Sequence, residues 1–278
     1  MPHPVSCASY RRRSLLLVDT LHSILRQREP DIHVVIVANE APECDLPPDP
    51  RIEVVIVPFS PAESPAGQPT ITTGMLADKG AKLAVGAAAA MRRSAAHLMF
   101  VDSDDYIHHD LAGHVAEHPD APGWYSEAGF LHVRGARTVT TYDHEFYMRN
   151  GSTHILRAEL LEVPADLDPD LDRDGVLELL GRERTVAIMG KHRPIVEYFE
   201  GIGKPFSPLP FRSAIWEIGN GENFSRVLTT AGSREPVAGR IADTYGLAVP
   251  SRATAFGSGA ATLAARLKRR VTPTTGSD

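Results

Sequence analysis

The sequence is short of cysteine, of lysine and of long apolar runs, and each shortage excludes something. Two cysteines among 278 residues, Cys7 and Cys44, cannot form a disulfide framework, which suits a reducing compartment. Cys7 falls in a strand-like run, where free thiols are often buried. No apolar run approaches the roughly 20 residues that a membrane-spanning helix needs. The opening residues also lack the basic-then-apolar order of a signal peptide, so a cytoplasmic protein with no integral membrane segment is expected. Positive charge is scarce too. Lys and Arg total 29 against 35 Asp and Glu, a net charge of −6, which argues against a nucleic-acid partner held by charge. Only five basic residues are lysines: Lys79, Lys82, Lys191, Lys204 and Lys268. What is present is a hydrophobic content of 42%, enough to fill the core of one large α/β domain or two small ones.

Periodicity sets out the first half as an alternation. Residues 5–9 read as a short strand, and residues 14–27 as an amphipathic helix with Leu17, Leu21 and Ile24 on one face. Residues 33–38 and 52–57 are Val- and Ile-rich runs of strand length, as expected of buried parallel strands. Residues 76–94 put Leu76, Gly80, Leu83, Ala87 and Met91 on one helical face. A further strand at 98–101 ends on Asp102, Ser103, Asp104 and Asp105. This order predicts a doubly wound, mostly parallel sheet, whose ligands bind beyond the carboxyl ends of the strands.

The acidic turn is therefore at the edge where a ligand would bind. Two carboxylates two residues apart can converge on one hard cation such as Mg²⁺ or Mn²⁺, although a solvated acidic turn is the plainer reading. A calcium loop counted from Asp102 needs Gly sixth and Glu twelfth, where Ile107 and Gly113 stand, so that motif is excluded. Haloacid-dehalogenase phosphatases also carry Asp-x-Asp after an apolar strand and would make Asp102 the nucleophile. In them the motif sits near the N-terminus and runs on into Gly-Thr, whereas Asp105-Tyr106 follows here.

Residues 13–40, RSLLLVDTLHSILRQREPDIHVVIVANE, resemble the opening of family 2 glycosyltransferases of the GT-A fold. The likeness runs on through Asp78, Lys79, Gly80, Ala81 and Lys82 into LMFVDSDDYI and covers about residues 4–135. It implies a metal-dependent, inverting transferase, of the hexosyltransferase class, that uses a UDP-, GDP- or dTDP-linked sugar. The resemblance puts Ser9 and Tyr10 against the base, and Asn39 and Glu40 where relatives read it. It puts Lys79 over the base or diphosphate. Asp102, with Ser103 beside it, would contact the ribose or the metal, Asp104 would bind the Mn²⁺ or Mg²⁺, and Asp105 would support them. His192 would be a third metal ligand from a downstream loop. A solvated helix face is the plainer expectation for Lys79 and Lys82. The runner-up functions are the phosphatase and a nucleotide-binding protein without transfer activity.

The second half is expected to build the acceptor side. Residues 123–130, 131–141 and 154–159 read as extended, separated by turns such as Asn150-Gly151-Ser152. An inverting transferase needs a carboxylate base, and the run Asp166, Asp168, Asp170, Asp172, Asp174 supplies candidates. Asp174 and Asp172 are preferred because they precede a helix-like segment, where an N-cap is the plainer role. Trp216 could stack on an acceptor sugar, lipid or small molecule, or simply be core. His108, His109, His114 and His118 cluster after the acids. The i, i+4 spacing of His114 and His118 could hold zinc, with a solvated helix face as the alternative. Residues 257–270 could form a basic terminal helix, soluble or touching a membrane surface. The domain expectation is a transferase domain over 1–225, divided at 120 into donor and acceptor halves, with an extension over 226–278. A homodimer is compatible with all of this.

Overall fold

The computed structural model describes residues 6–62, 71–220 and 232–249, with side chains from residue 14 onward. The chain opens with helix α1 (Ser6–Ile24), so the strand expected over residues 5–9 is replaced by helix from Ser6 on. Helix propagation explains this: once a long amphipathic segment is nucleated, adding a turn at its N-terminus costs little. Cys7, Ser9 and Tyr10 therefore lie on a helix. Leu17 and Leu21 of α1 pack on Ile36.

Strands β1 (Val34–Ala38) and β2 (Ile52–Ile56) pair in parallel, from Val34 opposite Ile52 to Ala38 opposite Ile56. Helix α2 (Thr73–Arg92) covers them. Thr72 caps it by accepting the Met75 N–H at 3.2 Å. A Cβ at Gly86 would lie 2.9 Å from Val37 Cγ2, so the glycine allows the helix to approach β1 closely. The same helix also packs against Leu98 and Leu156 of a second sheet, in the largest apolar core.

After α2 come β3 (His97–Met99), β4 (Tyr106–Ile107), α3 (Leu111–Ala116), β5 (Gly123–Tyr125), β6 (Gly129–Val133), β7 (Thr138–Tyr142) and β8 (His154–Arg157). Then follow α4 (Arg173–Leu180), α5 (Arg182–Thr185), α6 (Ile195–Gly201), β9 (Ser207–Pro208), β10 (Ala214–Ile218), β11 (Arg234–Pro236) and α7 (Ala242–Tyr245). The second sheet has the order β3-β8-β5-β9 and the third β11-β7-β6-β10-β4. The protein is α/β, but its sheets are mixed rather than mostly parallel. Among the described residues, only β1–β2, β6–β10 and β5–β9 are parallel pairs. The short link between β6 and β7 shows why: a parallel neighbour needs a crossover of a dozen residues or more, and a tight turn returns the chain antiparallel. Among the described residues, β1 is hydrogen-bonded only to β2, and β3 only to β8.

Past residue 225, where an extension is expected, described residues pack onto the preceding sheet. Val237, Ile241, Tyr245 and Leu247 share one core with Tyr106, Phe130, Val139 and Ile215. The expected helix over 257–270 lies outside the described residues. No helix among the described residues is long and apolar enough to cross a membrane.

Candidate functional site

Beyond β3, Phe100 and Val101 lead into the acidic turn, which closes through the Asp105 N–H to the Asp102 carbonyl at 3.3 Å. Asp105 is its buried anchor. Its Oδ2 accepts Asn150 Nδ2 at 2.9 Å and Ser152 Oγ at 2.6 Å, and its Oδ1 accepts the Glu217 backbone N–H at 3.2 Å. The turn, the 150–152 loop and β10 are thereby tied to one carboxyl. Burial, then Asp104 and Asp102, push the Asp105 carboxyl well above the usual carboxylate range. Asn150 also accepts the Ser152 N–H, which rigidifies the loop locally.

Asp102 faces Lys79 of α2. Lys79 Nζ donates to Asp102 Oδ1 at 2.6 Å, with the side chains 34% and 40% exposed. Burial pushes the Asp102 carboxyl up, but the Lys79 ammonium outweighs it and holds it below the usual range. For Lys79, burial favours the neutral amine, and Asp102 with its acidic neighbours overrides that and raises the ammonium. Asp102 Oδ2 is turned against Gly151, where an added Cβ would lie 2.5 Å from it and 3.3 Å from Lys79 Nζ. A side chain at position 151 would therefore displace the Asp102 carboxylate or the loop. Asp104 Oδ2 accepts Asn220 Nδ2 at 2.8 Å. Burial, followed by repulsion from Asp102, pushes Asp104 up to about 6.

An ionic network runs from buried Glu217 of β10 to the surface. Glu217 meets His132 Nδ1 at 3.0 Å and Arg134 at 2.5 Å, and Arg134 reaches Asp19 of α1 at 3.1 Å. On the other side of Lys79, a small recess is lined by Gly151, His154, Lys191 and His192. His192 Nε2 lies 3.4 Å from the Met148 carbonyl, and burial followed by Lys79 lowers its pKa. His154 is buried and held neutral, its pKa pushed down to about 3 by desolvation.

The remaining expected residues have other surroundings. Asn39, at the exit of β1, donates to the Phe59 carbonyl at 2.7 Å and accepts Lys82 Nζ at 3.0 Å, so both ends of its amide are engaged. Lys82 is not on a solvated face: it is buried and ion-paired with buried Asp78 at 2.6 Å. Glu40 is exposed, and Ser103 forms part of the turn. Ser9 and Tyr10 lie in α1, with side chains outside the description. Asp172 caps α4 by accepting the Gly175 N–H at 2.7 Å, and Asp174, 70% exposed, pairs with Arg182 at 2.7 Å. Trp216 is 6% exposed within an apolar core beside Leu131 and Ile218, so its ring offers no face to a sugar. Nor is His114 on a solvated face, because its ring packs edge-on against Trp124 at 5.5 Å.

Sequence reasoning missed Asn150, Ser152, Glu217 and Asn220 as parts of this site. The turn-like Asn-Gly-Ser was the only signal for the first two.

The hard oxygen donors of Asp102 and Asp104 fit Mg²⁺ or Mn²⁺ chemically. Their geometry is not a closed three-ligand cage. Among the described residues, only His108, His109 and Asp110 bring three candidate ligand atoms within 4.8 Å of one another, so Asp102, Asp104 and His192 do not form such a trio. That other cluster is already engaged, since Asp110 is bound by Arg28 at 2.9 and 3.1 Å and its N–H donates to His108 Nδ1 at 3.1 Å. No family model matches the chain, and no curated protein or solved structure matches it either.

Proposed function

We propose that the chain is a metal-dependent glycosyltransferase of GT-A type, which moves a sugar from a nucleoside diphosphate sugar to an acceptor with inversion. The observation that carries this reading is the Lys79–Asp102 pair at 2.6 Å with Asp104 two residues on. It joins a cation on α2 to a carboxylate beyond β3, with a second carboxylate in the same turn. Departure of a nucleoside diphosphate develops negative charge, which a positioned ammonium stabilises where it appears. Asp104 and Asp102 would hold a divalent ion, which would supply further charge neutralisation there. Asp105 holds both acids in place through Asn150, Ser152 and the Glu217 amide. The parallel β1–β2 pair under α2 supports a nucleotide-binding half of the GT-A kind.

A phosphatase using Asp102 as nucleophile needs a free carboxylate oxygen. Lys79 engages one of its oxygens at 2.6 Å, and Asp105-Tyr106 stands where those phosphatases have Gly-Thr, which favours the transferase. Thermal unfolding with UDP, GDP or dTDP, each with and without Mn²⁺, tests the proposal. A ligand at 100 times its Kd adds about 2.7 kcal/mol by mass action. Stabilisation by at least one nucleotide with Mn²⁺, lost in Asp104→Asn, is expected. Labelling of Asp102 by an acyl phosphate instead identifies the phosphatase, and binding of donor without release of diphosphate identifies a non-catalytic binder.

A further inference from the structure

We infer that the recess beside Lys79 reads one hydroxyl group of a sugar, which donates to His154 Nε2 and accepts from a lysine ammonium. This rests on the transferase reading above and deepens it by naming a contact that selects among sugars.

The tautomer of His154 carries the argument. Thr153 Oγ1 donates its one proton to the Asn150 carbonyl at 2.8 Å, so toward His154 Nδ1, 3.1 Å away, it can only accept. Nδ1 therefore carries the ring proton. Desolvation keeps the imidazole neutral, its pKa pushed down to about 3, and Nε2 is left as a bare acceptor. That atom is buried, in a residue 1% exposed, and has no partner among the described residues. An acceptor in this position calls for a donor.

The recess that the His154 ring borders narrows the choice of donor. Lys79, Lys191 and His192 line it together with Leu83, Phe100 and Ile188. Ile188 belongs to a π-helical turn, Val186–Gly190, a distortion of the helix ladder that recurs at functional sites. The volume of about 10 Å³ admits one water-sized group and excludes a whole phosphate or sugar ring. A phosphate oxygen has no proton for Nε2 to accept. An ammonium has one, but it would meet the like charges of Lys79 and Lys191. A hydroxyl satisfies both sides, because it donates to Nε2 and its oxygen accepts from an ammonium. Lys79 uses one of its three N–H groups on Asp102 Oδ1, which leaves two for such a contact. A sugar presents hydroxyls one at a time around its ring, on the donor or on the acceptor.

The test replaces hydroxyl by fluorine, which is close in size and cannot donate. Isothermal titration of the full chain with Mn²⁺ takes UDP-glucose, UDP-galactose, GDP-mannose and dTDP-glucose, each beside its deoxyfluoro analogues at every hydroxyl position. A second panel takes the methyl glycosides of the same sugars and analogues, with UDP, GDP or dTDP present. Fluorine at one position is expected to weaken binding about 100-fold or more, as when a substrate hydroxyl is removed from a site built to bond it. A loss in the first panel assigns the hydroxyl to the donor, and a loss in the second assigns it to the acceptor. His154→Phe removes the bare nitrogen and is expected to bind the hydroxyl and fluoro forms almost equally. His154→Gln, whose amide oxygen still accepts, is expected to keep part of the difference. Nitrogen chemical shifts of wild-type His154 give a measurement that needs no variant: Nε2 is expected to be unprotonated and to respond to the hydroxyl form but not to the fluoro form. Equal affinities at every position in both panels, with nucleotide still bound, mean a water site only and overturn this inference alone, as does a protonated Nε2. Failure of every nucleotide to bind with Mn²⁺ overturns the transferase reading and the inference together.

Discussion

Ser152 Oγ bridges two acids of one turn: it donates to Asp105 Oδ2 at 2.6 Å and accepts the Asp102 backbone N–H at 2.8 Å. One hydroxyl thus fixes the distance between the anchor of the turn and the carboxylate that meets Lys79. Ser152→Ala strands the Asp102 N–H, worth about 1–3 kcal/mol when left unpaired, and leaves Asp105 Oδ2 with Asn150 alone. Urea unfolding is expected to show a loss of that order, and nucleotide binding should weaken beyond what stability explains. Wild-type stability in the variant would reject the bridge.

Gly151→Ala tests the crowding against Asp102. The added methyl falls 2.5 Å from Oδ2, so the loop or the carboxylate must move. Isothermal titration should show nucleotide with Mn²⁺ bound at least tenfold more weakly, a change of about 1.4 kcal/mol. Unaltered affinity would mean that Asp102 is not a contact.

Acid should weaken the fold through its buried histidines. His154 is held down to about 3 by burial and His108 to about 4 by burial and then His109, while an unfolded histidine titrates near 6.5. Between those values the unfolded chain binds protons that the folded chain refuses. Their stability contribution is therefore full above about 6.5 and falls as the pH drops. Urea midpoints from pH 7.5 to 4.5 should decline, and His154→Gln should flatten the decline.

Asp104 acts in the opposite sense. Its folded pKa is raised to about 6 by burial and Asp102, so its contribution is present in acid and lost as pH rises through about 6. A bound cation favours the charged form. Stabilisation by Mn²⁺ with nucleotide should accordingly grow as the pH rises from 5 to 7, and Asp104→Asn should abolish that growth. A flat profile in the wild type would exclude Asp104 from the ion site.

The two expected bases can be separated by stability. Asp172→Ala removes an N-cap and should cost about 1 kcal/mol, whereas Asp174→Asn breaks an exposed, solvent-screened pair and should leave stability nearly unchanged. Hydrolysis of the donor by water provides the activity measurement. A base should show a loss of roughly 10²- to 10⁴-fold with donor binding intact. Near-normal hydrolysis by the double variant Asp172→Asn with Asp174→Asn would reject both.

The elements legible in the sequence were those written in local pattern. The Val- and Ile-rich runs became β1 and β2, the Ala-rich face became α2, and the strand before the acids became β3, ending at Met99 rather than Val101. Residues 6–9 were misread because a four-residue pattern cannot reveal that the helix behind it extends backwards. Asn150, Ser152 and Asn220 carried no periodic signal, since each owes its role to a partner 45, 47 or 116 residues away. Trp216 was ambiguous for a related reason: an isolated aromatic reads the same whether it lies in a core or on a sugar, and only the pairing of β10 between β6 and β4 buries it.

The three donors of Asp105 come from the 150–152 loop and from Glu217 on β10, and Asn220, which holds Asp104, follows directly after that strand. The acids are synthesised more than a hundred residues before Glu217 and Asn220. A nascent chain that has emerged only as far as α6 carries every carboxylate of the turn but neither the amide for Asp105 Oδ1 nor the side chain for Asp104. The turn is therefore fully oriented only when β10 lies between β6 and β4, and a chain truncated before residue 214 should retain the acidic turn without the Glu217 amide or the Asn220 side chain.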